Sequence, residues 1–247
     1  MSRVGIVTAL SREARALAPE MAGGADVGGA RVYRLAEALL TVSGMGWEAA
    51  LSGTRALMGA GVTALASVGT AGALDPALGC GSIVLPREVV SLEGETAMRT
   101  DPRWRQALER ALPGERVCSG RLLSTRQPLG SRIEKAIAWR ETHSVAVDME
   151  SAAVARAAAE AGLPFIAVRV IVDTAGEDLP RAVLAASGGA HPSLLKLLAG
   201  LALAPREIGA LIRLARRFRA ACAVLASIGE PGLPARRALT AADWGTS

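Results

Sequence analysis

Residues 144–177 read S-V-A-V-D-M-E-S-A-A-V-A-R-A-A-A-E-A-G-L-P-F-I-A-V-R-V-I-V-D-T-A-G-E. The apolar run Val145–Val147 predicts a buried strand, followed by Asp148, Met149 and Glu150 and then an alanine-rich helix over Ser151–Ala161. Gly162 and Pro164 supply a helix stop. A second apolar strand, Phe165–Val172, ends on Asp173. Strand, helix and strand in this order form the unit of an α/β sheet, whose ligands bind beyond the carboxyl ends of its strands. Glu150 and Asp173 each stand just past such an end and are the first candidate site residues.

Outward from this unit the alternation continues. Val4–Leu10 predicts a first strand, with Ser11 as cap of a helix that begins at Arg12 and Glu13. Tyr33–Ala36 and Leu39–Ser43 predict two more strands, Trp47–Met58 a helix, and Val62–Val68 a strand. Further strands are expected over Gly79–Leu85 and Val117–Ser124, and helices over Pro102–Leu112 and Ser131–Glu141, the latter with Ile133, Ile137 and Trp139 inward. This order predicts an α/β fold, a single domain with a central mixed β-sheet flanked by helices. After Glu177 the chain turns helical, over Pro180–Ala186, Pro192–Leu203 and Pro205–Ile228. In the last of these Ile208, Leu211, Ile212, Ala215, Cys222 and Leu225 recur at helical spacing, with Arg213, Arg216 and Arg217 off that stripe. The expected division is a main domain over residues 1–204 and a basic helical C-terminal extension over 205–247, with a loose tail from residue 231.

Composition excludes several classes. Hydrophobic residues make up 51% of the 247, yet no apolar run reaches the roughly 20 residues of a membrane span. The start, M-S-R-V-G-I-V-T-A-L, is followed at once by Arg12, Glu13 and Arg15, so it reads as a core strand rather than a signal peptide. Cys80, Cys118 and Cys222 are odd in number and lack metal-like spacing, which points to a reducing, cytoplasmic setting with no disulfide framework and no metal. Residues 205–237 hold seven basic residues against two acids, so this segment carries the whole net charge of +5. No basic patch interleaves with aromatics, so nucleic acid is not an expected partner. A solvated helix face explains the arginines of 205–228, as does peripheral contact with the inner membrane surface.

Two glycine motifs bear on ligands. Gly44-Met45-Gly46 precedes a helix, but Ala49 stands where a dinucleotide fingerprint needs a third glycine. Gly69-Thr70-Ala71-Gly72-Ala73 follows a strand, and a turn there would align backbone N–H groups and a hydroxyl as an anion-binding nest; an ordinary tight turn fits the same pattern.

V-G-I-V-T-A-L-S-R-E, S-G-M-G-W-E-A-A, V-G-T-A-G-A-L, V-D-M-E-S and V-R-V-I-V-D-T-A, in this order over residues 3–200, resemble the nucleoside phosphorylase and nucleosidase superfamily. Within it the chain looks most like the hopanoid-associated phosphorylases, which remove adenine from adenosylhopane. The resemblance implies a cytoplasmic homo-oligomer that takes a small-molecule nucleoside, needs no cofactor, and breaks the ribosyl C1'–N9 bond. Such cleavage passes through an oxocarbenium-like state, in which the purine must be protonated and the sugar's charge stabilised.

By this resemblance Asp173 is the acid near the purine N7, Glu150 accepts from the ribose hydroxyls, and Met149 packs on the sugar. Gly69 and Thr70 lie by the nucleophile, while Leu122, Leu123 and Ser124 border the purine, partly through backbone groups. Asp148 alternates to the other side of its strand and reads as a surface or helix-start acid. Hydrolytic members carry a water-activating glutamate near the end of the first strand. An ungapped alignment places Arg12 there with Glu13 adjacent, which favours phosphate as co-substrate, held by Arg12 and the Gly69-Thr70 turn. The arginine that several phosphorylases carry before the turn is Ser67 here, and a one-residue slip would make Glu13 the base. The alternatives are a hydrolytic methylthioadenosine/S-adenosylhomocysteine nucleosidase and a non-catalytic nucleoside-binding protein.

Overall fold

The computed structural model describes residues 3–92, 94–112, 116–186, 207–230 and 234–240. Among these, twelve strands form one mixed sheet. Its central strand, β5 (Ala64–Ala73), lies between β1 (Val4–Thr8) and β12 (Phe165–Asp173), parallel to both, and its last residues pair antiparallel with β11 (Ser144–Asp148). Beyond β1 come β4 (Ala38–Val42), β3 (Ala30–Arg34) and β2 (Ala25–Val27). Beyond β11 come β10 (Arg121–Ser124), β7 (Glu88–Ser91) and β8 (Gly94–Arg99), while β6 (Ile83–Val84) and β9 (Val117–Cys118) extend from β12.

Helices cover both faces, so the central strands are apolar on both sides. Along β5, Ala64, Ala66 and Val68 face one core with α1 (Ser11–Leu17) and α7 (Ile208–Gly229), while Leu65 and Ala73 face the other with α2 (Trp47–Gly59) and α5 (Ser151–Glu160). The remaining helices are α3 (Pro102–Ala111), α4 (Arg132–Thr142), α6 (Arg181–Ala186) and α8 (Pro234–Thr240).

Four expectations change. First, Gly69–Ala73 is not a turn: β5 runs straight through it in register with β12. Second, the boundary at 204/205 does not separate packing units among the described residues, because Ala221, Leu225 and Ile228 of α7 share a core with Val4, Ile6 and Leu17. The expected loose tail contains α8, whose Ala235 and Leu239 join that core. Buried Arg236 ties α8 down by donating to the carbonyls of Leu17 and Gly229 and to Glu20. Third, α4 is turned over: Ile133 and Ile137 are exposed, and Lys135 and Ala138 are buried. Fourth, Ser11 makes no side-chain cap on α1; Glu13 fills that role by accepting from the Leu10 N–H. The helix expected over Pro192–Leu203 lies outside the described residues.

Candidate active site

A cleft of about 170 Å³ opens at the carboxyl ends of β5, β11 and β12. Four carboxylates line it: Glu13, Glu150 and Asp173, each delivered by a different element, and Asp148.

Glu13 sits in the first turn of α1, which starts just beyond β1 and leans over β5. One carboxylate oxygen accepts from both the backbone N–H and the hydroxyl of Thr70, at 2.8 and 2.7 Å; the other accepts from the Leu10 N–H at 3.0 Å. Gly69 leaves room beneath it, since a Cβ there would lie 3.1 Å from both carboxylate oxygens. Burial pushes the Glu13 carboxyl above its ordinary range, against the Thr70 hydrogen bonds and the charge of Arg169, which pull it down. A buried carboxyl raised in this way is a stronger proton acceptor than an exposed one.

Asp173 ends β12. The pairing with β5 slips between Ile171 and Asp173, and a bulge of this kind re-aims a side chain. It places Asp173 opposite Gly72, where a Cβ would lie 3.0 Å from one carboxylate oxygen. The two glycines of the G-T-A-G motif thus make room for two acids within a strand, which explains them without a turn. Lys135 of α4 donates to Oδ2 of Asp173, the oxygen nearer Gly72, at 2.5 Å.

Glu150 precedes α5. It accepts from the Gly46 N–H at 2.7 Å and the Met149 N–H at 3.3 Å. Gly46 has φ 87°, a left-handed conformation that favours glycine and turns its N–H to the carboxylate. Burial first, and then the negative charge of Asp148, push Glu150 up to about 7. Met149 and Met45 line the cleft beside it.

Three of the expected site residues do not line the cleft with their side chains. Arg12 is exposed and lines an outer groove; the Thr70 donors that were to share an anion with it both go to Glu13. The helical rotation of one residue, 100°, separates the two side chains. Leu123 is fully buried in a small core with Leu74, Ala138 and Val147. The Ser124 hydroxyl accepts from the Ala152 N–H, and Thr125, Pro128 and Leu129 line the cleft nearby. Asp148 is also not a surface acid: it is buried, pairs with Arg169 at 2.7 Å and accepts from the Ser151 N–H at the start of α5. The same guanidinium donates to the hydroxyls of Ser67 and Ser151. Sequence reasoning missed Arg169 and Lys135. A lone arginine inside F-I-A-V-R-V-I-V was a usable signal, because a buried guanidinium demands a buried acid.

Thr70, Val172, Asp173, Leu10 and Leu179 also belong to a second, apolar groove of about 640 Å³. Its other wall is α7, through Ile208, Leu211, Ile212, Leu214, Ala215 and Phe218. Among the described residues, no three His, Cys, Asp or Glu side chains converge as a metal would need.

Known proteins share this frame. The fold matches the 5'-methylthioadenosine/S-adenosylhomocysteine nucleosidase of Helicobacter pylori in complex with butyl-thio-DADMe-Immucillin-A (20% identity, 82% of this chain and 99% of that one, TM-score 0.68). It matches futalosine hydrolase of Helicobacter pylori (21%, 81% and 97%, TM-score 0.67) and S-adenosylhomocysteine nucleosidase of Streptococcus pyogenes (20%, 87% and 96%, TM-score 0.66). No curated protein sequence matches the chain. The family model described as Phosphorylase superfamily matches residues 3–201. With this match over most of its length, the chain belongs to the phosphorylase superfamily and is an N-glycosidic bond-cleaving enzyme.

Proposed function

We propose that the protein hydrolyses the N-glycosidic bond of a purine nucleoside and releases adenine, with an apolar 5' group on the sugar. The observation that carries this reading is the buried Glu13 carboxylate on the Thr70 N–H and hydroxyl, at the place expected of the nucleophile. A phosphate there would meet a carboxylate where it needs donors, and Arg12 is turned outward. Water suits the same site, since Glu13 can take its proton.

In this reading the C1'–N9 electron pair passes to the purine, and N7 takes a proton from Asp173. The oxygen of water joins C1', and its proton goes to Glu13. Glu150 accepts from the ribose hydroxyls, and Met149 packs on the sugar. Solved enzymes of this fold are named for 5'-methylthioadenosine and S-adenosylhomocysteine, nucleosides of the class proposed here.

The apolar groove along α7 supports a large 5' substituent, and adenosylhopane is the case the resemblance implies. Exposed Ile208 and Ile212, beside Arg213 and Arg216, support contact of the groove mouth with a membrane surface. No helix of the described residues is long and apolar enough to cross a membrane. Outward Ile133 and Ile137 of α4 support a homo-oligomer.

The test is adenine release by purified protein from adenosines with 5'-alkylthio groups of rising length, with and without phosphate. Release is expected in phosphate-free buffer at an unchanged rate, with free sugar as product. Each methylene that enters the groove contributes about 0.8 kcal/mol, so kcat/KM should rise about fourfold per carbon. Dependence on phosphate would overturn hydrolysis, and indifference to chain length would remove the apolar group.

A further inference from the structure

Lys135 and Lys196 are the only lysines in a chain whose lysines and arginines number 28. Lys135 is fully buried, carried inward by α4 while two isoleucines of that helix face out. Its ammonium has three protons and three acceptors: Asp173 Oδ2 at 2.5 Å, the Thr174 carbonyl at 3.0 Å and the Glu177 carbonyl at 3.0 Å. A compact ammonium on a flexible stem suits three acceptors converging on one point, whereas the planar fork of arginine does not.

All three acceptors lie on one loop, residues 173–177, which begins with the acid. A buried ion pair is poor evidence for stability, because taking both charges out of water offsets much of their attraction. The pair therefore calls for a role at the cleft. Asp173 Oδ1 accepts no hydrogen bond among the described residues, and Asp173 lines the cleft. With Oδ2 committed as an acceptor, a proton on this carboxyl sits on Oδ1. Arg217 of α7 pins the same loop from outside by pairing with the Glu177 carboxylate, but that contact is half exposed and does not touch Asp173.

We propose that Lys135 is a positioning residue for Asp173: by holding Oδ2 and the two loop carbonyls it turns Oδ1, with its proton, to the leaving purine. The proposal rests on the reading of Asp173 as the acid for the base. Lys135 touches no substrate atom in this scheme and acts only through Asp173.

Lys135→Met and Asp173→Asn, alone and together, would be assayed on an adenine nucleoside and on p-nitrophenyl riboside, whose leaving group departs without a proton. Lys135→Met is expected to lower kcat on the adenine nucleoside by about 10–10²-fold, with KM little changed. On the nitrophenyl riboside it should stay within about threefold of wild type, and in the Asp173→Asn background it should cost nothing further. Equal losses on both substrates, or additive losses, would show that Lys135 serves the fold alone and overturn the proposal. Full adenine release by Asp173→Asn would instead sink the role of Asp173, and this proposal with it. If Lys135→Met does not fold by circular dichroism, Lys135→Arg is read by the same substrate comparison, with loss on the adenine nucleoside only.

Discussion

The two acids over the G-T-A-G motif are mounted alike and solvated differently. Glu13 stands over Gly69 and Asp173 over Gly72, three residues apart on one strand, each needing the missing Cβ. Yet Glu13 is held by neutral donors, two from Thr70 and one from Leu10, whereas Asp173 is held by the ammonium of Lys135. A carboxylate among neutral dipoles in a buried site gains basicity from burial, and Glu13 is pushed up accordingly. Two glycines of one strand thus seat a proton acceptor carried by α1 and an anchored, oriented carboxyl carried by β12. This is the division that glycoside cleavage asks of paired carboxyls, one serving the nucleophile and one the leaving group.

The sharpest way to break this comparison is to neutralise each acid in turn. Glu13→Gln and Asp173→Asn should each lower kcat on an adenine nucleoside by about 10²–10⁴-fold, the range of a lost general acid or base. With p-nitrophenyl riboside the two should part: Asp173→Asn recovers to near wild type, and Glu13→Gln does not, because water must still be activated. Steady-state kinetics on the two substrates checks this. Recovery of both variants, or of neither, would mean that the two corners do not divide the work.

A smaller effect is expected from the glycines. A methyl at Gly69 or Gly72 meets carboxylate oxygens at 3.1 and 3.0 Å, so the acid must give by a few tenths of an ångström. Gly69→Ala and Gly72→Ala should each lower kcat about tenfold while the melting temperature moves by only a few degrees. On the nitrophenyl riboside only Gly69→Ala should remain slow. A large loss of stability in either variant would place these glycines with the fold rather than with the acids.

How much of this was visible beforehand depends on what each residue's pattern can encode. Glu150 and Asp173 stood out because each ends an apolar run, and a sheet covered on both faces leaves its strand ends as the place for charge. Lys135 was hidden because helical periodicity assigns isoleucines inward and charges outward, and α4 does the reverse at Ile133, Lys135 and Ile137. For Asp148 the helix-start reading holds, since it accepts from the Ser151 N–H, while the surface reading fails because the other side of the sheet is also buried and holds Arg169. The G-T-A-G motif looked like a turn because glycine is common in turns; here the same residue serves close approach within a strand. The choice between Arg12 and Glu13 was a one-residue question, and only the helix rotation decides it.

Glu150 sharpens the contrast further, because it shares burial with Glu13 and lacks a cation in hydrogen-bond contact. Its carboxyl is pushed up from the ordinary 4.5 to about 7, by burial first and then by the charge of Asp148, with Arg169 and the Gly46 N–H opposing. In the proposed reaction the ribose hydroxyls need the ionised form, which accepts from both. KM for the nucleoside should therefore fall as pH rises through about 7, and Glu150→Gln should show a high KM with no such step. Stability of the free enzyme carries the opposite sign. A carboxyl whose folded pKa lies above its unfolded value binds more protons in the folded state, so its contribution is present below pH 4.5 and is lost as pH rises to about 7. The loss is at most about 3 kcal/mol for a shift of this size. Thermal melting of the free protein from pH 5 to 8 should show this decline in wild type and a shallower one in Glu150→Gln. Parallel melting curves would mean that the Glu150 carboxylate sits in its site without strain. A difference between them would mean that this corner, like that of Glu13, is held ready for substrate at the expense of the empty fold.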